Sequence, residues 1–356
     1  MIGVPCMVMR GGTSKGVFFL SNDLPADPHQ RDALLLAVMG SPDARQIDGI
    51  GGATPLTSKV AIISVSERAD ADVDYLFFQV SVDQALVSDR QNCGNLLAAT
   101  GQFAIERGLV AAAGTTASIR VYMSNTNSVA TSTFPISNGL PVYNGDTTID
   151  GVPGTAARVQ LDFEDIAGGS CGALLPTGSA VDPIDGIKVT MIDNGMPVVV
   201  MLATDVGVTG RETPSELESN DVLRTRLESI RLQAGRLMGL GDVTDTTVPK
   251  LTMVSPPTGL GDLTTRTFIP HRCHEAIGAL GAVSVATAAL LPGSPAAAVI
   301  RTGAGIDGTI ICEHPTGSFS TTISVDTSTT PPIARRAGII RTARKLMDGV
   351  VFPASL

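Results

Sequence analysis

Short apolar runs alternate with glycine-bearing polar turns along most of this chain, a pattern that predicts many short strands and few helices. Residues 5–9 read as a strand. Arg10-Gly11-Gly12-Thr13-Ser14-Lys15-Gly16 reads as a glycine-rich turn, and residues 17–20 as the next strand. Asp27-Pro28 is a helix start, with Asp as cap and Pro at the first helical position. Leu34, Leu35, Val38 and Met39 supply its buried face, and Gly40 ends it. Residues 41–53 are polar, glycine-rich and without period, and loops of that length in a compact domain are often functional. They lead through Thr57-Ser58-Lys59 into an apolar strand at 60–65. Residues 73–86 read as a strand pair. Gln91-Asn92-Cys93-Gly94-Asn95 then opens a helix whose Leu96, Leu97, Thr100, Phe103 and Ala104 share one face, and Gly108 stops it. Residues 119–123, 128–134 and 157–163 are further β segments.

The second half repeats this layout. A strand at 189–192 turns at Asp193-Asn194-Gly195-Met196-Pro197 into a strand at 198–202. Residues 215–238 read as one long helix whose Glu216, Glu218, Arg224, Arg226 and Glu228 form a solvated face with no assigned chemistry. Strands at 251–255 and 265–269 follow. Pro270-His271-Arg272-Cys273-His274-Glu275 then leads to a second glycine-bearing helix start at Ala279-Leu280-Gly281-Ala282, and residues 297–352 are mostly β. Two related halves are expected, 1–183 and 184–344, with the C-terminal strand 345–356 joining the first.

Composition narrows the function. With 356 residues, two domains are the natural expectation. A net charge of −9 argues against a nucleic-acid partner, and any site for an anionic substrate has to be built locally from N–H groups and a few Arg or Lys side chains. Cys6, Cys93, Cys171, Cys273 and Cys312 are odd in number, scattered and without a CxxC pair, which suits free thiols in a reducing compartment. No run approaches a membrane span, so a cytoplasmic protein is expected. The Gly11–Gly16 turn fails the GxxxxGK[ST] phosphate-loop pattern, and strand–turn–strand is the wrong context for one. His271 and His274 lie three apart with no helix between them, a poor metal pair. No metal site is expected.

Cys93 stands where unpaired N–H groups and the helix dipole favour a thiolate, and the same groups can bind a carboxylate. Lys59, at the mouth of an apolar strand, is either a solvated end or a partly desolvated base. Together they offer the two proton-transfer groups that an acid/base isomerisation needs. Ser14, Arg272 and the backbone N–H groups near Gly94-Asn95 and Gly281-Ala282 could hold carboxylates.

Met9-Arg10-Gly11-Gly12-Thr13-Ser14-Lys15-Gly16, the stretch from Gly40 to Gly49, Leu56-Thr57-Ser58-Lys59-Val60-Ala61, Gln91-Asn92-Cys93-Gly94-Asn95, Ile192-Asp193-Asn194-Gly195-Met196-Pro197 and Phe268-Ile269-Pro270-His271-Arg272 together resemble the PrpF family, nearly end to end. Within it the sequence is most similar to 4-oxalomesaconate tautomerases and Δ-isomerases, and less so to 2-methylaconitate and 3-methylitaconate isomerases. The resemblance implies an α+β, diaminopimelate-epimerase-like fold: two pseudo-equivalent domains, each a β-barrel-like sheet around a central helix, with the site between them. It implies a cofactor-independent isomerase of 4-oxalomesaconate, in 4,5-cleavage catabolism of gallate, protocatechuate or lignin-derived aromatics, with Lys59 and Cys93 catalytic. Gly12, Thr13, Ser14, Ser58, Asn92, Gly94, Asn95, Asn194, Met196, His271, Arg272, Gly281 and Ala282 carry over as substrate contacts. Where diaminopimelate epimerase has a second helix-start cysteine, Gly278-Ala279-Leu280-Gly281-Ala282 has none, which argues against a racemase. The partner is a small tricarboxylate, and a homodimer is a family-level expectation. The rival of another class is a non-catalytic tricarboxylate binder.

Overall fold

The computed structural model describes residues 3–89 and 92–354; Gln91 of the cysteine motif and the last two residues of the expected C-terminal strand lie outside them. The chain forms two compact units, residues 1–164 with 340–356, and residues 165–339.

The first unit contains β1 (Val4–Gly11), β2 (Ser14–Leu20), α1 (Pro28–Met39), β3 (Lys59–Val65), β4 (Val73–Val80), β5 (Val87–Ser88), α2 (Gly94–Leu97), α3 (Thr100–Glu106), β6 (Thr116–Met123), β7 (Ser128–Ser137), β8 (Leu140–Pro141) and β9 (Arg158–Phe163). β1 pairs antiparallel with β2, β2 parallel with β3, and β3 antiparallel with β4. β4 runs parallel to β6, and β6, β7 and β9 follow antiparallel. The last strand of the chain pairs with both β1 and β9 and closes an eight-stranded barrel. The two-residue period of the strands sorts their side chains. Val17, Phe19, Val60, Ile62, Phe78 and Val80 pack outward with Leu34, Leu35, Val38 and Met39 of α1. The alternate residues, Phe18, Ala61, Tyr75 and Phe77, are equally buried, and Phe18 meets Phe103 of α3 with ring centroids 5.5 Å apart. The α2–α3 segment is therefore the central helix, with Thr100 to Ile105 buried.

Two details differ from expectation. The expected turn at 10–16 shrinks to Gly12-Thr13, because Gly12 takes φ +51° and lets the ladder run on to the Gly11–Ser14 pair. The expected Cys93 helix is divided at Ala98-Ala99, where Ala98 and Ala99 donate to the carbonyls three residues back, at Asn95 and Leu96.

The second unit contains β10 (Asp182–Ile184), β11 (Ile187–Asp193), β12 (Pro197–Leu202), α4 (Pro214–Glu218), α5 (Asp221–Leu237), β13 (Lys250–Ser255), β14 (Leu263–Ile269), β15 (Arg272–Cys273), α6 (Ala279–Ala289), β16 (Thr309–His314), β17 (Gly317–Asp326) and the first part of β18 (Ile333–Val351). Its pairings repeat those of the first unit. β11–β12 is antiparallel, β12–β13 parallel, β13–β14 antiparallel, β14–β16 parallel, and β16–β17–β18 antiparallel. Val199, Met201, Leu251, Met253 and Phe268 pack outward with Leu223, Leu227 and Ile230 of α5. On the other side the Asn194 backbone N–H donates to Ser284 Oγ of the buried α6. The long helix expected at 215–238 is two: Asn220 caps α5 by accepting from Leu223 N, and the chain breaks before it.

Candidate active site

Strand alternation puts Lys59 on the inner side of β3, with Ala61 and Ile63, facing the central helix. Its side chain is buried, and Nζ lies 3.5 Å from Cys93 Sγ and 5.1 Å from the centre of the Phe77 ring. Gln79, opposite Lys59 on β4, donates its amide to the Ser58 carbonyl, and Val80 N donates to the same oxygen, which fixes the strand entrance. Ser58 Oγ donates to Gln46 Oε1 (2.8 Å), itself buried and also accepting from Ala53 N. The aperiodic 41–53 loop is thus anchored beneath the lysine.

Cys93 is the residue before the first turn of α2, extended in backbone and also buried. Its N–H donates to Asn92 Oδ1 (2.7 Å), and its carbonyl accepts from Tyr75 Oη (3.1 Å). Complete burial, and next the neighbouring Cys93 sulfur, push the Tyr75 phenol well above its ordinary value, so it stays a neutral donor. Asn92 Nδ2 donates to Met123 Sδ (2.8 Å) at the end of β6. Among the described residues no side chain caps α2, which leaves its first N–H groups as candidate donors to an anion.

The β1–β2 turn lies against that helix start. A Cβ on Gly11 would enter the Asn95 carbonyl, one on Gly12 the Asn95 amide, and one on Gly16 would come within 2.8 Å of the Lys59 carbonyl. Asn95 Nδ2 donates to Thr13 Oγ1 (3.0 Å), and Arg341 Nε donates to Asn95 Oδ1 (3.1 Å). Burial lowers the Arg341 guanidinium to about 9. Ser14 is buried, and its hydroxyl has no hydrogen-bond partner among the described residues, a group left for a ligand or a water.

In the second unit the 194–196 turn docks on α6: Asn194 Nδ2 donates to Thr287 Oγ1 (2.8 Å), and Ser284 Oγ donates to the Met196 carbonyl. Gly281 and Ala282 are buried in the first turn of that helix. His271 and Arg272 are held differently. His271 Nδ1 is 3.7 Å from Glu228 of α5, and Arg272 Nε 3.0 Å from Glu218 of α4, so the helix face read as chemically idle supplies their partners. Sequence reasoning missed Gln46, Tyr75, Gln79 and Arg341. Alternation on β4 could have flagged Tyr75, but nothing local marks Arg341, 246 residues from Asn95. No three His, Cys, Asp or Glu side chains converge on a metal position among the described residues. No helix there is long and apolar enough to cross a membrane.

Residues 1–353 match the family model described as PrpF protein. The chain is 58% identical over 352 residues to a (4E)-oxalomesaconate Δ-isomerase from a Novosphingobium species, covering 99% of this chain and 98% of that one. It is 56% identical over 348 residues to a 4-oxalomesaconate tautomerase from Pseudomonas putida, covering 98% and 95%. The crystal structure of a methylitaconate-Δ-isomerase superposes with a TM-score of 0.90 at 36% identity, covering 98% of this chain and 95% of that one. The two-unit, diaminopimelate-epimerase-like architecture expected from the sequence is the one this chain adopts.

Proposed function

The chain belongs to the PrpF family and is an isomerase, and on that premise we propose that it isomerises 4-oxalomesaconate by proton transfer between Lys59 and Cys93. The observation that carries this reading is the buried Lys59 Nζ–Cys93 Sγ pair at 3.5 Å, beside a helix start that no side chain among the described residues caps. Lys59 Nζ takes the proton from the carbon beside the ketone. The C–H electron pair spreads into a dienolate over the ketone and the adjoining double bond. Protonation of the dienolate on the ketone oxygen gives the enol, and exchange between the enol and keto forms at that carbon is tautomerism. Delivery of a proton to the far carbon by the Cys93 thiol is a 1,3-allylic shift, and the proton on Lys59 then restores the thiol. The 3.5 Å separation suits that last transfer.

The developing charge needs donors that are already in place. Gly94 and Asn95 N–H, the Ser14 and Thr13 hydroxyls and the Asn95 amide surround the pair's helix start, with Gly12 allowing the close approach and Asn92 and Ser58 fixing Cys93 and Lys59. Asn194, Met196, Gly281 and Ala282 form the corresponding turn-and-helix corner of the second unit, with His271 and Arg272 as outer polar groups. We place the enzyme in the cytoplasm, acting on the small tricarboxylate as a homodimer. The likeness to methylitaconate-Δ-isomerase keeps methylitaconate- or methylaconitate-type substrates as the second reading.

Proton NMR of 4-oxalomesaconate in D₂O tests the assignment. Wild type is expected to incorporate deuterium. Cys93→Ser is expected to keep exchange beside the ketone and lose deuterium delivery at the far carbon, while Lys59→Ala loses both. A Lys59→Ala enzyme that exchanges at the wild-type rate would refute Lys59 as the base.

A further inference from the structure

The repeat between the units places a second lysine where the first unit has its base. Lys59 opens β3 and Lys250 opens β13, the third strand of the matching ladder in each unit. Their neighbours correspond as well: Lys59 pairs across the parallel ladder with Gly16 of β2, Lys250 with Val198 of β12. On β13, Leu251 and Met253 face α5, so Lys250 shares the opposite face with Thr252, the side on which α6 lies. Lys250 Nζ lies 3.9 Å from the position a Cβ on Gly278 would take. Gly278 is the residue before the first turn of α6, as Cys93 is for α2. The second unit thus keeps the lysine of the pair and lacks the thiol.

The Lys250 ammonium has no hydrogen-bond or ion-pair partner among the described residues, and no side chain caps α6. His274 is the titratable group beside it; burial first, and then the charge of Lys250, lower the His274 pKa. Burial also lowers that of Lys250. A partly desolvated, unpaired cation facing an unused glycine corner is completed by a ligand carboxylate. We infer that Lys250 is a carboxylate-binding residue of this enzyme that sets its affinity for the polycarboxylate substrate without taking part in proton transfer. The inference rests on the isomerase reading above.

Lys250→Met removes the charge and keeps the stem. Loss of a charge-assisted contact predicts a rise in KM of about tenfold or more, with kcat near wild type and partial recovery of KM in Lys250→Arg. A KM near wild type in Lys250→Met, or a fall in kcat at unchanged KM, overturns the assignment. A second measurement needs no turnover and leaves Lys250 in place. Gly278→Cys puts a thiol beside Nζ in a backbone conformation open to any residue, φ −65° and ψ 142°. Peptide-resolved alkylation of that thiol by iodoacetamide is expected to slow about fivefold or more under saturating tricarballylate, by simple occlusion of the bound site. Unchanged alkylation overturns the inference. Protection without any turnover of 4-oxalomesaconate would instead count against the substrate reading and leave Lys250 as a carboxylate ligand.

Discussion

The Lys59 and Lys250 corners are built on one plan and finished differently. In the first unit the inner positions beyond the lysine carry Phe77 and Tyr75, opposite Ala61 and Ile63 on the ladder. In the second, Thr252 pairs with Thr267 and Val254 with Thr265, so hydroxyls stand where the first unit has rings. Those threonines satisfy each other and the sheet: Thr252 and Thr267 hydroxyls lie 3.0 Å apart, and Thr265 Oγ1 donates to the Glu313 carbonyl. Tyr75 instead reaches the helix start and holds the Cys93 carbonyl. The frame delivers a lysine to a helix start in both units. On the mechanism proposed above, the residue before the helix and the aromatic floor beneath the lysine decide whether that corner moves a proton or only holds a charge.

The largest expected effect breaks the comparison at the lysines themselves. Lys59→Ala is expected to lower kcat by about 10²–10⁴, the usual contribution of a general acid or base, whereas Lys250→Met acts on KM. Steady-state kinetics on both variants checks this, and equal effects on kcat would mean that the two corners are not specialised.

The next effect sharpens the comparison at the ladder. Gly16 and Val198 hold the same position, opposite Lys59 and Lys250. A valine fits in one unit, yet an added Cβ on Gly16 comes within 2.7 Å of Leu96 Cδ2 and 2.8 Å of the Lys59 carbonyl. The backbone oxygen cannot rotate away, so Gly16→Ala has to displace β3 or α2. Expected are a destabilisation of about 1–3 kcal/mol and a fall in kcat, since the displacement changes the Lys59–Cys93 distance. Thermal unfolding with wild-type kinetics retained would show that the Lys59 corner tolerates a shift of its frame.

Glu313 offers a pH-dependent contrast. On the ladder it stands opposite Thr264 of β14, and it accepts from Thr258 N, Gly259 N, Gly261 N and the Thr258 and Thr264 hydroxyls. Although burial alone would raise its pKa, these donors together outweigh it and hold the carboxyl at about 2, against an ordinary 4.5. A folded pKa below the unfolded one means that the stabilisation is complete above pH 4.5 and is lost as pH falls towards about 2. The comparable tie in the first unit is Asn125, which brackets Phe77 through its N–H and carbonyl and does not titrate in this range. Glu313→Gln is expected to cost about 2 kcal/mol at neutral pH and to flatten the acid limb of a melting-temperature profile. An unchanged acid limb would remove Glu313 from the account.

How much of this was legible depends on how local each signal is. Lys59 and Cys93 were readable because each stands at a boundary between a polar turn and an apolar run, and the family resemblance joined them. The repeat was readable from two strand–turn–strand units. The break at Ala98-Ala99 carried no Gly, Pro or capping residue to announce it. The break before α5 did carry a signal, since Asn220 precedes Asp221 and is a strong cap, but the charge pattern across it read as continuous. Lys250 was passed over because the strand was started at Leu251, one residue late. Arg341 against Asn95, and Glu218 and Glu228 against Arg272 and His271, are long-range pairings that no local pattern encodes.

The smallest expected effect isolates the floor of the first corner. Tyr75→Phe keeps the ring and removes one hydroxyl, leaving the Cys93 carbonyl without its 3.1 Å donor. The lost hydrogen bond is expected to cost about 1 kcal/mol of stability. Its catalytic effect should be smaller than that of Gly16→Ala, because the phenol touches the Cys93 backbone and the sulfur keeps its contact with Lys59. Because the phenol stays neutral, no pH dependence near neutrality should disappear with it. Comparing the kcat–pH profiles of Tyr75→Phe and wild type reads the point directly. A changed lower or upper limb would make Tyr75 a proton-carrying member of the corner, and the distinction between the two units would then rest on three side chains in place of two.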